Sequence, residues 1–183
     1  MTKDEIAAAR RQIAAMGPTG WGRRALADAD IDALLSAAPA VAVATGEVLV
    51  REGEPADHAF LLLTGRLRAS LPLGGEGPNR DRTVNEIGAG EVAGESALFL
   101  TGGRRTATLT ALEPSTVLVL RRELFADLAS SNPALVALES HILAGLARRI
   151  ERTDAQIVAA WRSSSSGGGP SLAGLMALLG GSS

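Results

Sequence analysis

The sequence of 183 residues has no cysteine and no tyrosine, and aromatic residues make up only 3% of it. Without cysteine there are no disulfides, no thiolate chemistry and no cysteine-ligated metal. Histidine occurs only twice, as His58 and His141, far apart in the chain. A metal site needs more ligands at short spacing, and a nucleophile–base dyad needs a base beside its nucleophile. Both histidines therefore read as surface or partly packed side chains, and no metal is expected. Glu52, Glu54 and Asp57 cluster in one turn, more in the manner of a solvated edge than of a catalytic carboxylate pair. No Gly-x-x-x-x-Gly-Lys loop occurs, so nucleoside triphosphate hydrolysis by that route is unsupported. These absences predict no catalytic residues, no cofactor and no enzyme.

Long apolar runs are also missing. No stretch approaches a membrane span, and Met1–Met16 is charged and amphipathic, unlike a secretory signal. A cytoplasmic protein without membrane contact is expected. The formal net charge is −2. Basic pairs at Arg10-Arg11, Arg23-Arg24, Arg121-Arg122 and Arg148-Arg149 are scattered among acids, which argues for solvated surface and against direct DNA binding. Apolar residues amount to 46%, enough for one domain with a proper core.

Thr2-Lys3-Asp4-Glu5 has the form of a capping box, and a helix should run from there to about Met16, where Gly17-Pro18 stops it. Ile6, Ile13 and Met16 fit one face. Residues 17–22 read as a linker anchored by Trp21. A short helix over Asp30–Ala37, started by Asp28 or Asp30, ends at Pro39. Short β-branched and aliphatic runs then alternate with glycine turns: Val41–Ala44, Val48–Arg51, Ala59–Thr64, Arg66–Pro72, Arg82–Ile87, Arg104–Thr110 and Thr116–Leu120. Many short strands at regular spacing mean a sandwich or barrel. The glycine-rich Leu73–Arg82 stretch reads as a mobile hairpin. Val84, just after it, faces either a pocket or ordinary core.

Arg122–Ser130 reads as a short helix. Asn132-Pro133 then starts a long one, with asparagine as N-cap and proline at the first position. Leu135, Leu138, Ile142, Leu146, Ile150, Ile157 and Trp161 form its apolar stripe. Gly145, near that stripe, would permit a close backbone approach. After Trp161 a Ser/Gly-rich linker precedes a short apolar tail. The expected domains are residues 1–22, helix and linker; 23–161, a barrel at about 40–121 with helices at about 122–161; and 162–183, linker and tail.

One stretch carries chemistry: Gly94 to Thr108, reading GESALFLTGGRRTAT. Gly94 lets backbone approach a ligand without a Cβ in the way. Ser96, Ala97 and Leu98 can begin a helical turn whose free N–H groups point at an anion. Arg105 can fork two donors onto two phosphate oxygens, and Thr106 adds a hydroxyl. Glu95 would repel a phosphate, so it makes sense only as an acceptor for hydroxyls of the same ligand, such as a ribose 2′-OH.

This stretch resembles the phosphate-binding cassette of cyclic nucleotide-binding domains, as found in catabolite activator proteins, kinase regulatory subunits and gated channels. Gly94, Glu95, Ala97, Leu98, Arg105, Thr106 and Ala107 meet the family pattern. Ser96 departs from it, standing where an aliphatic residue is usual. The resemblance extends from about Ile31 to Asp154. It implies a mainly β fold with flanking α: a double-stranded β-helix, or jelly-roll-like, barrel with N-terminal helices and a long C-terminal helix.

It also implies a ligand, cyclic AMP or cyclic GMP. Gly94, Glu95, Ser96, Ala97, Arg105 and Thr106 would bind it, with Val84 and Thr153 as further candidates. Thr106 resembles members that prefer cyclic GMP. Aligning on Leu146–Ile150 places Thr153 where a hydroxyl reaches adenine, and the reading leans to cyclic AMP. The bland reading of Thr153 is a bond to its own helix carbonyl. Ligand binding would be relayed by movement of the C-terminal helices. About twenty residues follow the long helix, too few for a further domain; the chain is expected to be a regulatory subunit or a piece of a larger assembly. Expected partners are a second copy, through the long helix, and a protein docking the 171–180 tail. The competing reading is a ligand-free version of the fold, acting as a protein–protein adaptor or oligomerisation module.

Overall fold

Glycine turns and aliphatic runs give eight strands, in a computed structural model that describes residues 3–16, 25–72, 81–128 and 132–165. They are β1 (Ala40–Val43), β2 (Val48–Val50), β3 (His58–Thr64), β4 (Arg66–Pro72), β5 (Asp81–Gly88), β6 (Val92–Ala93), β7 (Thr108–Ala111) and β8 (Ser115–Arg121). They form two four-stranded antiparallel sheets, ordered β1-β8-β3-β6 and β2-β7-β4-β5. The helices are α1 (Lys3–Met16), α2 (Asp28–Ala37), α3 (Ser96–Phe99), α4 (Arg122–Leu128) and α5 (Pro133–Ser165). This is the mainly β barrel with flanking helices that the strand spacing and the resemblance led us to expect.

The core lies between the sheets. Phe60 and Leu62 of β3 join Val50, Leu67, Ile87 and Leu109 there. Successive strand residues face opposite ways, so Leu61 and Leu63 point to the outer face. They are buried as well, because α1 packs on β3. Ile13 and Met16 of α1 are buried, and Thr116 on β8 donates to Glu5 at 3.0 Å. Helix α1 thus docks onto the barrel through this face. Its buried face differs from the expected one: Ile6 is 38% exposed, and Ala8 and Ala9 are buried instead.

Helix α2 starts at Asp28, the earlier of the two aspartates that could begin it, but its N-cap residue is Ala27 and no side chain caps it. Asp28 and Asp30 in its first turn suit the positive end of the helix dipole. At the start of α5 the asparagine cap is present: Asn132 Oδ1 accepts from Ala134 N–H at 2.8 Å. The other end of the same amide donates to Asp30 O at 3.2 Å, tying α5 to α2.

The chain divides into two compact units, Met1–Leu143 and Ala144–Ser183. Leu135, Leu138 and Ile142 of α5 are buried within the first. In the second, Ile150 is 62% exposed and Ile157 46%. Past Ile142 the stripe is less well covered, with Leu146 and Trp161 half-buried and Ile150 and Ile157 exposed. Around Gly145 the nearest atom to a hypothetical Cβ is Arg148 Nη2 at 4.0 Å, so no backbone approaches closely there. The Thr2 end of the capping box, the linker with Trp21, residues 73–80 of the hairpin and the 171–180 tail lie outside the described residues.

Candidate functional site

The cassette begins where β6 leaves its sheet. Gly94 takes φ +72°, in the left-handed region. The reason for a glycine is visible beside it: a Cβ here would stand 2.8 Å from Arg105 Nη1. What the missing side chain admits is the arginine itself. Glu95 follows in helical conformation as the N-cap residue of α3, buried. Ser96 is half-buried and Ala97 buried. The Ala97 N–H donates to Gly94 O at 3.1 Å, so the one-turn helix satisfies that expected anion donor internally.

The strand expected from Arg104 begins only at Thr108. Before it, the backbone pairs with the turn after β2: Arg105 N–H donates to Glu54 O at 2.8 Å, and Gly53 N–H to Arg105 O at 2.8 Å. This pairing separates the two arginines. Arg104 is exposed and donates to Gly53 O at 2.8 Å. Arg105 turns inward and is 5% exposed.

Three groups enclose the Arg105 guanidinium besides Gly94. Its Nη1 donates to His58 O at 2.7 Å, and its Nη2 lies 3.1 Å from His58 Nε2. Its Cζ stands 5.6 Å from the centroid of the Phe60 ring, within cation–π range. The His58 ring meets Phe60 edge-on, with centroids 4.9 Å apart. Arg105 Nε is buried and has no hydrogen-bond partner. Among the described residues no carboxylate forms an ion pair with this arginine. Burial pulls its pKa below the ordinary guanidinium value, while the Asp57 and Glu54 carboxylates, at longer range, act to raise it. Arginine keeps its proton in proteins, so the site holds a desolvated cation.

His58 was not among the residues expected here; a histidine next to an acidic turn reads as surface. Its Nδ1 lies 2.5 Å from Asp57 Oδ1. The hydrogen bond from His58 is the main reason the Asp57 carboxyl is held below its ordinary value. Nothing in the local sequence signals the contact, because His58 and Arg105 are 47 residues apart.

Thr106 is exposed beside Arg105. Val84 is 50% exposed and so is not part of the core. It falls at a register shift in β5, where Thr83 and Asn85 pair with adjacent residues of β4 and leave it unpaired. Thr153 is exposed, and its hydroxyl donates to Arg149 O at 2.9 Å, one turn back in its own helix. That is the local bond its position in a helix allows.

Gly94→Ala should cost about 1–2 kcal/mol for the left-handed backbone alone, and more for the displaced guanidinium. Gly102 is the control, since it has φ +68° with nothing within 4 Å of a Cβ. Thermal melts should show Gly94→Ala to be the more damaging substitution. Equal losses would mean that Arg105 adjusts freely.

The sequence model of the family described as the cyclic nucleotide-binding domain matches residues 40–132. Among curated proteins, a lysophospholipase nte1 of Aspergillus fumigatus is 36% identical over 104 residues, which is 57% of this chain and 7% of that protein. The chain therefore spans only a small fraction of the length of that relative. Among solved structures, the catabolite activator protein of Thermus thermophilus aligns with a TM-score of 0.59 and 31% identity, covering 72% of this chain and 59% of that one. A cyclic nucleotide-binding domain from Methylobacillus flagellatus shares the fold, with a TM-score of 0.62 and 24% identity over 78% of this chain and 80% of that one. The barrel, the cassette on it and the family match over both lead to one conclusion: this chain belongs to the cyclic nucleotide-binding domain family.

Proposed function

We propose that the chain is a regulatory module that binds cAMP or cGMP, with Arg105 neutralising the cyclic phosphate. The observation that carries this reading is a buried guanidinium with an unpartnered Nε and, among the described residues, no ion-paired carboxylate. A buried charge without a counterion is costly. An anion entering beside Arg105 removes that cost and satisfies the open donor. The Ser96 N–H and the Thr106 hydroxyl are the further phosphate donors in this reading, and Glu95 receives the ribose 2′-OH. Val84 and Thr153 are assigned no ligand contact, and with Thr153 engaged in its own helix the lean to cAMP has no structural support.

The proposed output runs through the helices after the barrel. Arg122, the first residue of α4, donates through Nε to Ala97 O at 3.1 Å and through Nη2 to Ala97 O and Leu100 O. The carbonyl end of α3 is thus held by α4. His141 of α5 is bonded to Gly90 O at 2.9 Å, in the turn before β6. A ligand that shifts α3 moves groups that α4 grips, and the size of the response is bounded by the ligand's preference for one arrangement. The exposed Ile150, Ile157 and Val158 of α5 support self-association through that helix.

Calorimetric titration with cAMP and with cGMP, run alongside light scattering, tests the reading. It predicts saturable binding of at least one nucleotide by a dimer. Affinities weaker than about 1 mM for both would favour the ligand-free adaptor instead. A monomer at high concentration, with and without nucleotide, would remove the dimer.

A further inference from the structure

Arg105 has five N–H bonds in one plane. One on Nη1 goes to the His58 carbonyl at 2.7 Å, and one on Nη2 meets His58 Nε2 at 3.1 Å. A single residue therefore fills one fork of the guanidinium. Nε–H, with an N–H next to it, forms a second fork, and Nε is buried without a partner.

The contact fixes the state of the histidine. Nε2 can accept from an arginine only if the ring is neutral and its proton sits on Nδ1. Asp57 Oδ1, 2.5 Å from Nδ1, accepts that proton's hydrogen bond. Both ends of the ring demand the same tautomer. Phe60 holds the ring edge-on and lies beneath the guanidinium, so neither partner turns without the other.

We propose that His58 is the positioning residue of the phosphate site. It grips Arg105 by one fork and so presents the other, Nε–H with its neighbour, to two oxygens of the ligand phosphate. A free arginine side chain has many rotamers to lose on binding. The hold of His58 removes much of that freedom before the ligand arrives, which raises affinity by preorganisation. Asp57 acts one step further out by setting the tautomer. This inference rests on the nucleotide-binding reading above.

The test compares His58→Gln with His58→Leu. Glutamine keeps a polar acceptor within reach of Arg105 Nη2, and leucine removes it. His58→Leu should weaken nucleotide binding about tenfold or more, and His58→Gln should stay within about threefold of the unmodified protein. Equal losses in both variants, or no loss in His58→Leu, would overturn the proposal. A readout without nucleotide separates this inference from the function it rests on, and it survives a leucine variant that fails to fold. In the ligand-free protein, nitrogen NMR of the His58 ring should show a protonated Nδ1 and an Nε2 that accepts a hydrogen bond. The Nε2 resonance should move in Arg105→Ala. An unchanged resonance would show that the grip does not exist, whether or not a nucleotide binds. If the NMR signature is present but neither nucleotide binds, the nucleotide-binding reading fails and the contact stands.

Discussion

Arg105→Ala is expected to weaken cyclic nucleotide binding by about thirty- to several-thousand-fold, the equivalent of about 2–5 kcal/mol for truncating one partner of a buried charge pair. The size follows from where the side chain sits. At 5% exposure, water does little to screen it, and its direct partners are a carbonyl and an imidazole on one residue, with an aromatic face beneath. None of these is an anion. The substitution should leave the barrel folded, because relief of the desolvated charge offsets the lost contacts with His58 and Phe60. Loss of binding with an unchanged melting temperature is the signature to look for.

Gly65→Ala should act on the fold instead. β3 lies in one sheet and β4 in the other, and Gly65 is the one residue between them. It takes φ +91°. A Cβ there would stand 2.2 Å from Ser115 Oγ and 2.7 Å from both Pro114 O and Ser115 Cα. Two of those three atoms are backbone, and Ser115 Oγ already donates to Glu113 O and accepts from Arg66 N–H. Nothing at this corner yields cheaply. Strained backbone costs about 1–3 kcal/mol and overpacking about 1–3 kcal/mol more. For a chain of this size that corresponds to a melting temperature lower by roughly 5–20 °C. A loss of only a degree or two would mean that the β3–β4 corner has room the geometry does not show.

The barrel was legible because its signal is local. Runs such as His58–Thr64 and Arg66–Pro72 alternate or stay aliphatic, and glycines with positive φ separate them. The two-residue β6 carries too little pattern to be read, and it appears only because Phe60 and Leu61 pair with it. The segment from Arg104 to Ala107 looks like strand by composition. Its backbone is engaged instead by the Gly53–Glu54 turn, a tertiary demand that overrides propensity. In α5 the apolar spacing continues past Ile142, but spacing records only which residues share a face, not whether anything covers it.

The cassette was legible for the same local reason: Gly94, Glu95 and Arg105-Thr106-Ala107 occur together at fixed spacing. Its inner partners were not. His58 and Phe60 come from a strand far back in the sequence, and only the fold brings them to Arg105. In sequence Gly94 suits a ligand's approach, yet the nearest group across from it is the arginine that would bind one.

The central claim is that this guanidinium meets the phosphate of the ligand, and a two-by-two titration tests it most directly. Unmodified protein and Arg105→Ala are each titrated with cAMP and with adenosine, which lacks the phosphate. If Arg105 and the phosphate interact, the losses from removing either will not add. The unmodified protein should favour cAMP over adenosine strongly, and Arg105→Ala should lose most of that preference, keeping only what Ser96 and Thr106 supply. An Arg105→Ala variant that keeps the full preference for cAMP would show that the phosphate is held elsewhere.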